Sequence, residues 1–416
     1  MRTLIRAALA PERRTLTLVV VVLLVCAFVA FGTGFWVLMR VTYLFALTIP
    51  FCWAMAWYNT RHIEVSVDRR TDRGQVGQEA QEVIDVRNPY WLPKLWLDVE
   101  DPSEMPGHKS RRIIVVPGGR SRNWFVDTAL KRRGVFDWGP LRVTGTDPFG
   151  LFRRVREFGG AQQILVYPQV VDLPHFQAPP ANLPGEGRFR RRTHYVTPNA
   201  SGIREYAPGD AFNRIHWRST ARTGEIMVKT FELDPASDIW VIVDLEKRVH
   251  FGEGDESTEE YAVRVAASIC RHFLVQNRSV GLISFGRDLR VIEPERGSNQ
   301  MTRLLETLAV VRAVGDAPLG NILQEEQRRF GRHTTLIVVT AATDDHWLTA
   351  IQALTQRGVR TAVVLVDPGS FGGPHSPLLL FGELTASDIL TYVVRRGDEL
   401  SVALSPTVGG VAAWQA

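Results

Sequence analysis

Ile239-Trp240-Val241-Ile242-Val243-Asp244 is the stretch that decides the fold. An unbroken apolar run ending on a carboxylate predicts a strand buried on both faces, not one with a solvent side. Such strands alternate with helices from Pro235 onward. Glu259 to Val275 sets Ala262, Val265, Ala266, Ile269 and Phe273 along one side of a helix, and Val280 to Phe285 is the next strand. Met301 to Val311 and Leu319 to Phe330 read as helices, Leu336 to Thr340 as a strand, Trp347 to Gln356 as a helix and Thr361 to Val366 as a strand. This order predicts an α/β domain over 235–416, with a mostly parallel sheet covered on both faces.

Upstream the rhythm shortens. Val83 to Val86 ends at Asn88-Pro89, Leu95, Leu97 and Val99 alternate, and Ile113 to Val116 stop at Pro117-Gly118-Gly119. Leu141 and Val143 alternate again, and Ile164 to Tyr167 end at Pro168. Turn signals recurring every ten or so residues predict an all-β sandwich domain over 62–170. Arg133-Gly134 and Asp147-Pro148-Phe149-Gly150 read as its corners, with Phe149, Leu151 and Phe152 packed under a turn. A Pro/Arg-rich connector is expected over 171–200. Its run Arg188, Arg190, Arg191 and Arg192 is either solvated or turned toward anionic lipid or an acidic partner.

From Leu16 to Tyr58 the only formally charged residue is Arg40. A helix needs roughly 20 apolar residues to cross a bilayer, so after a short segment 1–15 the stretch 16–58 predicts two transmembrane helices. The first runs from Leu16 to about Phe31, Gly32 and Gly34 break it, and Val41 to Tyr58 forms the second, with Arg40 in the turn. Arg2, Arg6, Arg13 and Arg14 precede the pair and Arg61, Arg69, Arg70 and Arg73 follow it. The positive-inside rule then places both flanks in the cytoplasm. A multi-pass cell-membrane protein with cytoplasmic soluble domains is the expected localisation, and the lipid bilayer is its first partner. Two helices without acidic or amide residues offer no transport path.

The whole chain, 416 residues with a formal net charge of +5, carries no concentrated basic patch that demands nucleic acid. Its three cysteines, two of them inside the apolar runs, exclude a disulfide framework or a cysteine-zinc cluster.

The densest unusual segment is 201–234. Pro208-Gly209 makes a turn, Asp210 is placed to cap a short helix, and Gly224 to close it. That helix is expected to carry Arg214 and Arg218 on one face, Asn213 and Trp217 on another, and His216 on a different side from Trp217. Glu225 to Leu233 follows as a strand. Arg204-Glu205-Tyr206, Pro208-Gly209-Asp210, Arg214-Ile215-His216-Trp217, Ala221-Arg222 and Val228-Lys229 through Phe231-Glu232 resemble the signature of the bacterial family called domain of unknown function 58. The Arg133-Gly134 and Asp147-Pro148-Phe149-Gly150-Leu151-Phe152 motifs resemble its sandwich region, so the resemblance extends over nearly the whole chain. It implies an architecture and an association with MoxR-type AAA+ ATPases, and no agreed catalytic activity.

Three readings of Arg204, Glu205, Tyr206, Asp210, Arg214, His216, Trp217 and Arg222 follow: a structural network, an interface anchored by arginine and tryptophan, or an acid–base pair of His216 with Asp210 or Glu205. No serine or cysteine is evidently coupled to His216.

The order of elements after 235 resembles the von Willebrand factor A fold. In that fold an Asp-x-Ser-x-Ser loop, a threonine and a later aspartate hold a metal. Here Asp244-Leu245-Glu246-Lys247-Arg248 replaces both serines, Gly320-Asn321-Ile322 stands where a glycine-threonine pair is expected, and Asp344 or Asp345 can supply the later carboxylate. A degenerate site at Asp244 that holds no metal is the expectation, with no cofactor. The function expected is a membrane-anchored, non-enzymatic scaffold or adaptor working with a MoxR-type AAA+ ATPase. The alternative is a membrane-bound hydrolase using His216 with nearby carboxylates and arginines.

Overall fold

The computed structural model describes residues 14–179, 200–207, 215–231, 238–332 and 334–406. The chain divides into two compact units, Met1–Gln169 and Val170–Ala416.

The first unit opens with helices α1 (Arg14–Thr33) and α2 (Trp36–Thr60), both long and apolar enough to cross a membrane. Between them Gly34 takes a left-handed φ of 68°, which a side chain would resist. The Thr33, Thr42 and Thr48 hydroxyls donate back to the Val29, Leu38 and Leu44 carbonyls, so these three are not left bare in apolar surroundings. Arg40, expected in the turn, lies inside α2, because the helix restarts directly after Gly34-Phe35. Its guanidinium stacks over Trp36 at 4.4 Å.

Ten strands follow: β1 (Glu64–Arg69), β2 (Arg73–Gln75), β3 (Glu79–Arg87), β4 (Lys94–Glu100), β5 (Arg112–Val116), β6 (Ser121–Ala129), β7 (Gly134–Trp138), β8 (Leu141–Thr146), β9 (Arg153–Phe158) and β10 (Gln162–Tyr167). They form sheets β1-β3-β6, β5-β4-β8-β9 and β2-β10-β7. The inward residues of the first two, Ile84, Val86, Trp124 and Val126 against Leu97, Val99, Leu141 and Val143, share one core. The corner at Asp147 works through its carboxylate, which accepts the Phe149 and Phe152 amides at 3.0 and 2.6 Å. Phe149 does not pack beneath this turn; it is 67% exposed.

The end of α2 is docked onto these strands. Asn59 donates to Thr146 O, Arg156 to Thr60 O, and the Tyr58 hydroxyl to Leu92 O. Gly145 permits the approach, since a Cβ there would lie 2.7 Å from the Thr60 methyl. Lys94, fully buried, donates to Tyr58 O at 2.5 Å and Arg61 O at 2.9 Å. These are carbonyls at the negative end of the helix, where a cation is favoured.

The second unit begins on a packed segment. Leu173 and Phe176 are buried in its core, and the Val171 amide donates to Ser268 Oγ. The first part of the expected connector is therefore a flank of the α/β core; its arginine run 188–192 lies outside the described residues. Strand β11 (Ala200–Glu205), helix α3 (Trp217–Thr223) and β12 (Met227–Phe231) come next, β11 and β12 pairing antiparallel.

The α/β core consists of β13 (Ile239–Asp244), the two-residue strands β14 (Gly252–Glu253) and β15 (Glu256–Ser257), α4 (Thr258–Val275), β16 (Val280–Phe285), β17 (Leu289–Glu295), α5 (Ser298–Val310), α6 (Leu319–Glu326), β18 (Thr335–Thr340), α7 (Leu348–Gln356), β19 (Arg360–Val366), α8 (Leu378–Ala386), β20 (Leu390–Val394) and α9 (Leu400–Ala403). Its sheet, β17-β16-β13-β18-β19-β20, is mixed: β17 runs antiparallel to β16 and the other pairs are parallel. Every residue of β13 is buried. Val241 and Val243 meet α4 and α5 on one face, while Trp240 and Ile242 meet α6 and α7 on the other. An apolar run without alternation is what such a two-sided position requires.

Candidate functional site

The signature segment folds as a strand, a surface helix and a returning strand. Arg204 and Glu205 lie on β11 opposite Val228 and Met227, and the Tyr206 amide donates to Ile226 O. Ile215 bridges to Val228, and both side chains are buried, which pins the start of α3. The expected helix around Arg214 begins later, at Trp217, and its N-cap is His216 rather than Asp210. His216 can cap because its Nδ1 accepts the Ser219 amide at 3.3 Å, the task a capping oxygen normally performs. Asp210 and Arg214 themselves lie outside the described residues. The expected pairings of Arg214 with Arg218 and of Asn213 with Trp217 also fall on residues outside those described. Gly224 closes α3 in the left-handed region with φ 79°, as expected.

His216 also meets a hydroxyl: Nδ1 lies 2.7 Å from Ser219 Oγ. A serine is thus coupled to it after all, through helix spacing of three residues. The same ring nitrogen accepts the Ser219 amide, which is a capping arrangement. Glu205 is exposed. No residue of α3 is buried; Trp217 is 70% exposed and Arg218 and Arg222 are also on the surface.

At the carboxyl end of β13, Asp244 is fully buried and both its carboxylate oxygens are engaged. Oδ1 accepts the Glu246 amide at 3.0 Å and Oδ2 the Thr340 hydroxyl at 2.6 Å. Burial pushes its carboxyl above the usual range, and the neighbouring His250 and Thr340 act against that rise. His250 Nε2 donates to Asp244 O at 2.9 Å. The two side chains standing in place of serines bond to each other: Arg248 Nε donates to Glu246 Oε1 at 2.7 Å. Glu246 is buried beneath the more exposed arginine. Gly320 and Asn321 lie in α6, and Asp344 and Asp345 are exposed in the segment after β18.

Residues 202–380 match the family model described as "Protein of unknown function DUF58". That segment, less than half of the chain, is similar to this family. The matched span starts downstream of the Arg133-Gly134 and Asp147–Phe152 motifs. Among curated relatives, the uncharacterized protein YeaD of Bacillus subtilis is 23% identical over 68% of this chain and 72% of its own. The uncharacterized protein Rv1480 of Mycobacterium tuberculosis is 26% identical over 46% of this chain and 61% of its own. Proximal thread matrix protein 1 from the mussel byssus, a solved structure, is 14% identical over 40% of this chain and 46% of its own, with a TM-score of 0.31. That score carries no argument about the fold.

Among the described residues lies one polar constellation that the sequence reading missed. Glu82 of β3, Asp101 after β4 and His108 in the 101–111 segment gather in the first unit, their ligand atoms all within 4.8 Å of one another. Glu82 and Asp101 are buried, and the His108 side chain is 2% exposed. Arg69 of β1 donates to Asp101 Oδ2 at 2.8 Å and stays 3.8 Å from Glu82. His108 Nδ1 lies 2.8 Å from Thr128 Oγ1 of β6. Burial, with Asp101 alongside, pushes the Glu82 carboxyl up to about 8, while burial pulls His108 below the usual histidine range. These residues are scattered over four elements, with no short motif to join them; only an acidic residue at an inward position of β3 hinted at the cluster.

Proposed function

We propose that this protein is a membrane-anchored, non-enzymatic adaptor whose second unit docks a protein partner, a MoxR-type AAA+ ATPase. One observation carries the reading: α3 projects Trp217, Arg218 and Arg222 into solvent and buries none of its own residues. Tryptophan and arginine are the side chains that most often anchor interfaces. The internally bonded carboxylate of Asp244 and the Glu246–Arg248 pair support a binding role over metal chemistry at the strand ends. The association of the family with such ATPases supplies the partner class.

The anchor is α1 and α2, with soluble units on the cytoplasmic side, a placement supported by arginines on both flanks. One of those flank arginines, Arg69, is committed to the buried cluster. Trp91, 81% exposed, and Phe149 lie on loops that touch the last turns of α2 through Leu92 and Thr146. Such rings suit the headgroup level of a bilayer.

Affinity purification from native membranes tests the adaptor reading. Wild type is expected to recover the ATPase, and Trp217→Ala with Arg222→Ala to lose it while melting normally. The competing hydrolase reading, resting on the His216–Ser219 contact, predicts an undiminished complex and turnover abolished by Ser219→Ala.

A further inference from the structure

The Glu82 cluster gathers too many bare lone pairs for a closed interior. Two carboxylates face one guanidinium, and both oxygens of Glu82, Oδ1 of Asp101 and Nε2 of His108 are buried without a hydrogen-bond partner. Buried polar atoms are nearly always paired, and a group of them left bare around one point calls for an occupant.

We infer that Glu82, Asp101 and His108 form a binding site for a divalent transition cation of the zinc type. Three features select the class. An imidazole nitrogen with two carboxylates suits zinc better than magnesium or calcium, which prefer oxygen alone. His108 Nδ1 is held at Thr128 Oγ1, 2.8 Å away, which leaves Nε2 to face inward, and metal-binding histidines are oriented in this way by the other nitrogen. Arg69 occupies Asp101 Oδ2 and leaves Oδ1 turned to the site.

The distances are those of a site slightly wider than its loaded form. His108 Nε2 and Glu82 Oε1 lie 4.0 Å apart. Ligand atoms about 2.0–2.2 Å from one tetrahedral zinc lie roughly 3.4 Å apart, so binding needs the side chains to close by about 1 Å. A water completes a fourth position.

The cation would fasten an irregular segment to the sheet. Ser110 Oγ accepts the Asp101 amide at 2.7 Å and donates to Asp101 O at 3.1 Å, closing the neck of the 101–110 loop. Asp101 at that neck and His108 within the loop would be tied to Glu82 on β3, under the Trp138 ring that meets His108 edge-on at 6.2 Å.

The test uses the full chain in detergent, with zinc and then cobalt as probes. Dialysis against a chelator should lower the melting temperature by about 5 °C or more, and zinc should restore it. Mass spectrometry should count one zinc per chain, and cobalt should give the visible bands of a four-coordinate nitrogen–oxygen site. Glu82→Gln and His108→Gln should lose the metal. Thr128→Val, which leaves all three ligands in place, should weaken zinc binding about 10- to 100-fold. Because the metal displaces the Glu82 proton, affinity should rise with pH. No uptake by the wild type, or uptake unchanged in His108→Gln, would overturn the site. A chain that takes up no zinc and loses stability as pH rises holds a proton where we place the cation, and also overturns it.

Discussion

Lys94 and Tyr58 join the strands of the first unit to its second apolar helix: Nζ donates to the Tyr58 carbonyl and stands 3.4 Å from the centre of the Tyr58 ring. With Arg61 O as its second acceptor, this one side chain reaches two carbonyls at the end of the helix, of which Tyr58 O also accepts the Arg61 amide at 3.2 Å. The ammonium contributes hydrogen bonds, charge against the helix dipole and a cation–π contact at once. Burial lowers its pKa to about 8, so near neutral pH it remains mostly charged.

Replacing Lys94 by methionine keeps the volume and removes all three contributions. We expect a loss of about 1–3 kcal/mol, because the Arg61 carbonyl is left bare while Tyr58 O keeps the Arg61 amide. Thermal melting of the full chain in detergent measures it. A shift within error would mean that water reaches these carbonyls.

The cap of α3 is a second test. His216→Ala should cost about 1 kcal/mol, and His216→Asn, whose side chain can accept the Ser219 amide, should recover most of it. Asp210→Ala should have no capping effect, since the helix starts at Trp217. Urea titration separates these outcomes; a stable but biologically inactive His216→Ala chain would favour the hydrolase reading instead.

Glu82 sets a pH dependence in the metal-free chain. Its folded pKa of about 8 stands above the ordinary 4.5, so between these values the folded state keeps a proton that the unfolded state has lost. Stability is then greatest below pH 4.5 as far as this group is concerned, falls through the window up to about 8 and levels beyond it. Glu82→Gln should flatten that decline in chelator-treated protein. An unchanged slope would assign the dependence to another group.

The loops beside α2 can be tested without touching the core. Trp91→Ser and Phe149→Ser should leave the melting temperature within about 0.5 kcal/mol equivalents, as surface changes do. In reconstituted vesicles, Trp91 fluorescence, read after removing the other tryptophans near the helix, should be quenched by headgroup-level bromolipids. Quenching by aqueous iodide alone would place the loop away from the bilayer.

The parts that could be read from residue order are those with a strong period. The apolar run 239–243 and the helix face from Ala262 to Phe273 are found where expected, since burial on both sides leaves no other pattern. β17 and β9 escaped, because exposed strands such as Arg153–Phe158 carry charge where a core strand carries valine. The elements from Leu378 onward were missed as well, following a glycine- and proline-rich stretch that masks their boundaries. The cap of α3 at His216 was not legible because histidine is an uncommon cap, and the Ile215–Val228 bridge just before it does not show in residue order. The buried cluster was invisible for a different reason: its members approach through strand register, which residue spacing does not record.

The Glu246–Arg248 pair has a consequence for how this chain can change. Serine at both positions is two substitutions away. Changing Arg248 first strands a buried carboxylate, and changing Glu246 first removes the anion that steadies the guanidinium. Either single step leads through a less stable intermediate, by about 1 kcal/mol, since the arginine is 75% exposed. The salt bridge thus acts as a ratchet: neutral drift can wander over the surrounding loop, yet it is held back from building a hydroxyl-lined pocket at this strand end.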